Sequence, residues 1–172
     1  RLVTEHPAAA RRMRRLIAMG GAVDEPGNVG PKAEFNIAAD PEAADIVFRA
    51  GLPLVLIPLD VTRRVRATRA YTAALRATEV EAAIASAELI DAYFQSTIGG
   101  ESRPLHDPCV MLFAERPDLF ALERIRLAVD LGEAPDGGAV IADDEAGAPI
   151  DVAMTVSSAD VLELLAARLA GR

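Results

Sequence analysis

Side chains able to do chemistry on a small molecule are few in this 172-residue sequence, and they fall in two short stretches. The first is His106-Asp107. An imidazole is the side chain best able to hold and give up a proton near neutral pH, and here it stands where the extended Arg103-Pro104-Leu105-His106 leads into a helix. In open α/β sheets, ligands collect at the carboxyl ends of strands, so a histidine there is well placed to act. The local reading is a loop histidine satisfied by a nearby carbonyl. Asp107 before Pro108 is equally an ordinary helix cap, the same dipeptide as Asp40-Pro41. The second stretch is Gly27-Asn28 followed by Glu34-Phe35-Asn36. A carboxamide both donates and accepts, and a carboxylate accepts from two hydroxyls, which together suit a hydroxyl-rich ligand such as a sugar. The local alternative places Asn28 in a turn and Asn36 as a cap.

Other chemistries are not signalled. The sequence has no GxGxxG or GxxxxGK[ST] for dinucleotide or phosphate, no CxxC or HExxH for zinc, and no GxSxG elbow. Cys109, the single cysteine, lies in the apolar Cys109-Val110-Met111-Leu112-Phe113 and reads as a packed thiol. His6, the other histidine, sits among helix formers beside Pro7 and reads as a surface residue. Arg63, Arg64, Arg66 and Arg69 read as a solvated helix start or an interface.

The elements that must carry these residues follow from periodicity and punctuation. Leu16-Ile17-Ala18-Met19 before Gly20-Gly21 predicts a buried strand and a turn. Ala22 to Ile37 has no helical period and predicts a long loop, a kind usually functional inside a compact domain. Asp40-Pro41-Glu42 opens a helix that Gly51 ends. Leu52 to Leu59 is apolar on both faces, the mark of a strand in a parallel sheet. Strand, loop, helix and strand in that order make a βαβ unit. Helices are predicted over 71–77 and 79–94, a break at Ile98-Gly99-Gly100, and a helix from Asp107 to about Glu115. Strands follow over 120–131 and 139–142, joined by Asp136-Gly137-Gly138, and over 149–156. A helix over 158–169 closes the chain.

Composition sets the outer limits. A formal charge of −8 argues against binding a nucleic-acid polymer, which needs clustered Lys and Arg. An apolar share of 51% supports a buried core. No run reaches the roughly 18 apolar residues of a bilayer span. One cysteine and no signal peptide make a reducing, cytoplasmic setting the default. The length suits one domain, residues 1–172. The chain nevertheless opens at Arg1, without Met and as though inside a helix.

Taken together, six segments in order resemble the nucleoside hydrolases of the inosine–uridine-preferring type. They are Met19-Gly20-Gly21, Gly27-Asn28, Ala33-Glu34-Phe35-Asn36-Ile37, Asp40-Pro41-Glu42-Ala43-Ala44, Pro58-Leu59-Asp60-Val61-Thr62 and Pro104-Leu105-His106-Asp107-Pro108-Cys109. The resemblance implies an open, mainly parallel Rossmann-like sheet flanked by helices. It implies cleavage of the N-glycosidic bond of ribonucleosides to free base and ribose, in purine or pyrimidine salvage. By position, His106 matches the residue that protonates the leaving base, and Asn28, Glu34 and Asn36 match the ribose-binding residues. Phe35 lies near sugar and base, with Met19 close to the same pocket. Asp107 matches a ligand of a Ca²⁺ ion that holds the water nucleophile and the ribose diol. Homodimers or homotetramers are usual among such proteins.

The family's Asp-rich DxDxGxDD-like loop has no counterpart in this sequence, so Asp107 stands without its companion ligands. The expectation is therefore the carboxyl-terminal portion of a nucleoside hydrolase domain, with an incomplete Ca²⁺ site and no activity of its own. Part of its apolar surface would then be exposed or pair with another copy. Two other classes compete. One is a truncated or degenerate module that binds nucleoside or ribose, or serves only in assembly. The other is an unrelated βαβ sugar-binding domain, which a wide separation of Asn28, Glu34 and His106 would favour. Base preference is not written in these residues.

Overall fold

The computed structural model describes residues 1–96 and 100–172. In chain order it begins with two short helices, α1 (Leu2–Glu5) and α2 (Pro7–Ala10), and strand β1 (Leu16–Met19). Helices α3 (Phe35–Ala39) and α4 (Pro41–Arg49) lead to β2 (Leu54–Ile57) and the single turn α5 (Leu59–Thr62). Then come β3 (Arg66–Thr68), α6 (Arg69–Arg76), α7 (Glu81–Ser96), β4 (Ser102–Pro104) and α8 (Pro108–Glu115). Strands β5 (Phe120–Val129), β6 (Val140–Ala142) and β7 (Ala148–Val156) precede the last helix, α9 (Ser158–Leu169). The break expected at Ile98-Gly99 lies outside the described residues.

Residues 1–61 and 120–155 form one compact unit, and 62–119 with 156–172 form another. The first holds a five-stranded sheet in the order β1-β2-β7-β5-β6. β1, β2 and β7 run parallel, with Leu16 opposite Leu54 and Leu56 opposite Val152, while β6 turns back antiparallel on β5. Every residue of β2 is buried, as its unbroken apolar run requires. Leu54, Leu56, Leu127, Val129, Ile150 and Val152 build the core with Ile37 and Phe48 from the helices. Helix α4 starts as its sequence predicts, with Asp40 accepting from Ala43 N at 3.0 Å.

β1 is different from its neighbour. It stands at the sheet edge, and its four apolar residues are half-buried where the sequence predicts a buried strand. The opening segment is two helices because Pro7 pushes His6 out of the helical region, to φ −132° and ψ 56°.

In the second unit β3 and β4 pair antiparallel, with Arg66 opposite Pro104. The arginine run is therefore mostly strand and turn rather than a helix start. Arg66 donates to Ser102 Oγ at 2.7 Å, and the Arg69 guanidinium lies 4.7 Å from the Phe94 ring centroid. Leu75, Ala83 and Ala87 are buried where α6 and α7 meet, with Ala166 and Leu169 of α9 packed against them. Cys109, on α8, is fully buried, and its thiol donates to Leu105 O at 3.1 Å. Burial pushes that thiol up to about 12, and the Asp107 charge adds to the shift. The thiolate needed for attack is thus absent near neutrality. The folded chain is expected to leave a colourless aromatic disulfide reagent unreacted at pH 8 and to release one equivalent of thiol in guanidinium. Stoichiometric reaction of the folded chain would contradict this placement.

Candidate active site

The residues singled out in the loop after β1 come together in the first unit. The chain leaves β1 through Gly20-Gly21, and Gly21 takes φ 76°. A Cβ on Gly21 would sit 2.9 Å from Val140 Cγ2, so glycine is required on both counts. The loop beyond it is long and irregular, yet two buried carboxylates tie its backbone down.

Asp60, 2% exposed just after β2, accepts from Val23 N at 2.9 Å, Asp24 N at 2.7 Å and Glu25 N at 3.1 Å. Glu34, also 2% exposed, accepts from Gly21 N at 2.9 Å, Asn36 N at 3.0 Å and Ile37 N at 3.3 Å. Glu34 is therefore the N-cap of α3, a helix that the absence of a helical period over 22–37 does not predict. Its Oε2 takes three of these backbone donors, whereas Oε1 takes only that of Asn36 and keeps acceptor capacity.

Asn28 is fixed from both sides. Its N–H donates to Ala33 O at 3.0 Å, and its side-chain Oδ1 accepts from Phe35 N at 2.9 Å. A Cβ on neighbouring Gly27 would fall 2.1 Å from Ala33 O, a backbone atom that cannot yield. Asn36 Nδ2 reaches back to Met19 O and Met19 Sδ, each at 3.3 Å. Met19, Glu34 and Asn36 are thus joined by hydrogen bonds, and Asn28 is bonded to Phe35, which lies between Glu34 and Asn36 in the chain. Asn28 and Asn36 are exposed, and Phe35 presents a ring that is 62% exposed. An apolar ring beside two carboxamides is a surface suited to a sugar: a flat face for the ring carbons and donors and acceptors for the hydroxyls.

The other stretch lies in the second unit. β3 and β4 hold the segment, and Leu105 N donates to Val65 O at 2.8 Å just before His106. His106 is half-buried, with Nδ1 2.7 Å from Oγ1 of the fully buried Thr62. A cavity of about 420 Å³ opens beside it, walled by Leu89, Ile90 and Tyr93 of α7 and by Pro104 and Leu105. A larger groove of about 810 Å³ runs past Met111, Leu165 and Leu169, and Glu115 and Arg168 on its wall pair with each other. The smaller cavity is the one beside His106.

Asp107 departs from the simple cap expected of an Asp-Pro dipeptide. Its backbone is already helical, φ −64° and ψ −36°, and its side chain makes no cap hydrogen bond. Asp40, outside the helical region at φ −156° and ψ 77°, caps α4 with the same dipeptide. The exposed Asp107 carboxylate is thus not used by its own helix. Calcium takes six to eight oxygens. Among the described residues no three His, Cys, Asp or Glu converge where a metal could sit. One carboxylate does not make such a site, and the residues described do not fit a Ca²⁺ ion on their own.

Asp60 and Thr62 stand in the 58–62 segment of the resemblance without a role assigned to either, and Tyr93 lies in none of the six segments. A further signal for Asp60 was an acid set directly after an eight-residue apolar run, where burial needs hydrogen-bond partners.

The model of the family described as "Inosine-uridine preferring nucleoside hydrolase" matches residues 1–163. A pyrimidine-specific ribonucleoside hydrolase, RihA, of Enterobacter sp. (strain 638) is 42% identical over 123 residues, 69% of this chain and 39% of that protein. The protein of the same name from Shewanella woodyi is 36% identical over 81% of this chain and 46% of its own length. Among solved structures, a purine-preferring ribonucleoside hydrolase from Gardnerella vaginalis superposes with TM-score 0.86 at 31% identity, over 98% of this chain and 56% of that one. A plant nucleoside hydrolase gives 0.89 at 28% identity, over 99% and 57%. The chain spans less than half the length of these curated relatives and a little over half of the solved ones. With the family's pattern matched from Arg1 to Glu163, across both compact units, this chain belongs to the inosine-uridine-preferring nucleoside hydrolase family.

Proposed function

We propose that the protein carrying this chain hydrolyses the N-glycosidic bond of ribonucleosides to free base and ribose. The observation that carries the reading is His106, its Nδ1 held by Thr62, beside an apolar cavity walled by Tyr93. Such a cavity suits a nucleobase, and a proton donor at its edge suits the nitrogen that leaves as the bond breaks. Breaking a glycosidic bond builds positive charge on the sugar and negative charge on the leaving group, so an acid at the latter lowers the barrier. Proton delivery falls to His106 Nε2, since Nδ1 is engaged.

Asn28 and Asn36 hydrogen-bond ribose hydroxyls in this reading, and Glu34 adds one acceptor through Oε1 while its negative charge favours the oxocarbenium-like sugar. Phe35 lies against the ribose and base. Asp107 supplies one carboxylate toward the family's Ca²⁺, and among the described residues no group of three His, Cys, Asp or Glu completes such a site. The two compact units are read as parts of one domain, residues 1–172, in a homodimer or homotetramer. A reducing, cytoplasmic setting is supported by the single buried thiol. Among the described residues no helix is long and apolar enough to cross a membrane.

The test uses the complete protein as its gene encodes it, with Ca²⁺, on uridine, cytidine and inosine and on their 2′-deoxy forms. Relatives named pyrimidine-specific are the more similar in sequence, which makes uridine and cytidine the first choices. Base and ribose should appear in equal amounts from at least one ribonucleoside. No release from any of them would reject the proposal.

Among the described residues no three His, Cys, Asp or Glu converge as metal ligands, which favours a second reading for the chain taken alone, a module that binds nucleoside or ribose without turnover. The isolated chain is accordingly expected to release no base and to bind no Ca²⁺ in equilibrium dialysis at micromolar free metal. Turnover by the purified chain would contradict this.

A further inference from the structure

We infer that Thr62 is a positioning residue for the hydrolysis, setting the orientation of His106 from the turn after β2. The inference rests on the function proposed above and goes beyond it, since it names a group that touches neither base nor ribose.

Thr62 is fully buried, and its Oγ1 lies 2.7 Å from His106 Nδ1, 44 residues further along the chain. A 2.7 Å contact from a fully buried hydroxyl is costly to break, because Thr62 Oγ1 would lose its imidazole partner where water does not reach it. A hydroxyl can also donate or accept by rotating its proton. It therefore serves Nδ1 in either tautomer and keeps that nitrogen occupied in both. The reacting nitrogen is then always Nε2, on the opposite side of the ring.

The backbone around this contact is arranged to keep it. Val65 N donates to Thr62 O at 3.2 Å, closing the turn in which the hydroxyl sits. Val65 O in turn accepts from Leu105 N at 2.8 Å, next to His106. The β3–β4 ladder continues the same registration, with Arg66 opposite Pro104. Thr62 and His106 are thus fastened by the main chain on either side of the side-chain bond. A misplacement of a reacting group by about an ångström costs on the order of 100-fold in rate, and removal of a partner that orients a histidine about 10–100-fold.

The experiment compares wild type, Thr62→Val and Thr62→Ser in the complete protein. Steady-state rates on the best ribonucleoside are measured with long-range ¹H–¹⁵N spectra of the imidazoles. Thr62→Val keeps shape and burial and removes the hydroxyl. It should lower kcat about 10-fold to 100-fold with KM within threefold, and should change the His106 ring-nitrogen pattern, identified by its loss in His106→Gln. Thr62→Ser should restore kcat to within about threefold of wild type together with the wild-type pattern. A kcat unchanged in Thr62→Val, an unchanged ring-nitrogen pattern, or a Thr62→Ser as impaired as Thr62→Val would each overturn the inference. A wild-type protein that cleaves no ribonucleoside would instead remove the functional reading on which it stands.

Discussion

Replacing Glu34 by glutamine is expected to destabilise the fold by about 2–4 kcal/mol, one of the two largest effects foreseen for this chain. The change keeps size and removes charge. What makes it severe is that every contact Glu34 makes is with a donor: the N–H groups of Gly21, Asn36 and Ile37. A glutamine has one acceptor oxygen in place of two and turns an NH₂ toward one of those donors. At 2% exposure water cannot stand in. In a protein of this size each kcal/mol lowers Tm by roughly 2–4 °C. Thermal unfolding of Glu34→Gln should be compared with that of Asp40→Ala. The latter removes an exposed cap worth about 1 kcal/mol. If the two variants unfold together, Glu34 is not the clamp of the loop.

His106→Ala is the second. In the complete protein it should lower kcat on ribonucleosides by about 10²–10⁴, the usual contribution of a positioned general acid. KM should move little, because the proton is needed in the transition state and not for binding. Stability should fall by about 1–3 kcal/mol, since removal of the half-buried ring leaves the fully buried Thr62 hydroxyl without its imidazole partner. The loss of rate is expected to exceed what that loss of stability explains, which distinguishes it from Glu34→Gln, where the fold itself is the main casualty.

How much of this was legible beforehand depended on the range of each interaction. The Asp40 cap is a contact over three residues and the β2 run a contiguous stretch, and both could be read directly. The parallel pairing of β1 with β2 follows from two apolar runs joined by a helix. Helix α3 could not be read, because its cap Glu34 is held by Gly21, 13 residues earlier, and its five residues carry no period of their own. The pairing of β3 with β4 reaches across 36 residues, so an arginine-rich stretch became a strand for reasons outside itself.

Among the candidate site residues, Asn28, Glu34, Phe35 and Asn36 were legible as a group through motif order, and the hydrogen bonds among them show only their proximity. Their division of labour was not legible. Glu34 looks from sequence like a ligand for hydroxyls, and three-dimensional packing makes it first an organiser of backbone. Asp60 and Thr62 act on groups 35–37 and 44 residues away, beyond any local pattern. Asp40 and Asp107 share a dipeptide and differ in backbone angles, which is why one caps and the other does not.

The claim at the centre of this account is that His106 gives a proton to a leaving base. The most direct test varies the need for that proton. A p-nitrophenyl ribofuranoside has a leaving group stable as its anion, whereas uridine has a poor one. Hydrolysis of both by the complete protein and its His106→Ala variant should be compared through kcat. The account predicts that His106→Ala loses about 10²–10⁴ on uridine and less than about tenfold on the p-nitrophenyl riboside. Equal losses on the two substrates would contradict it.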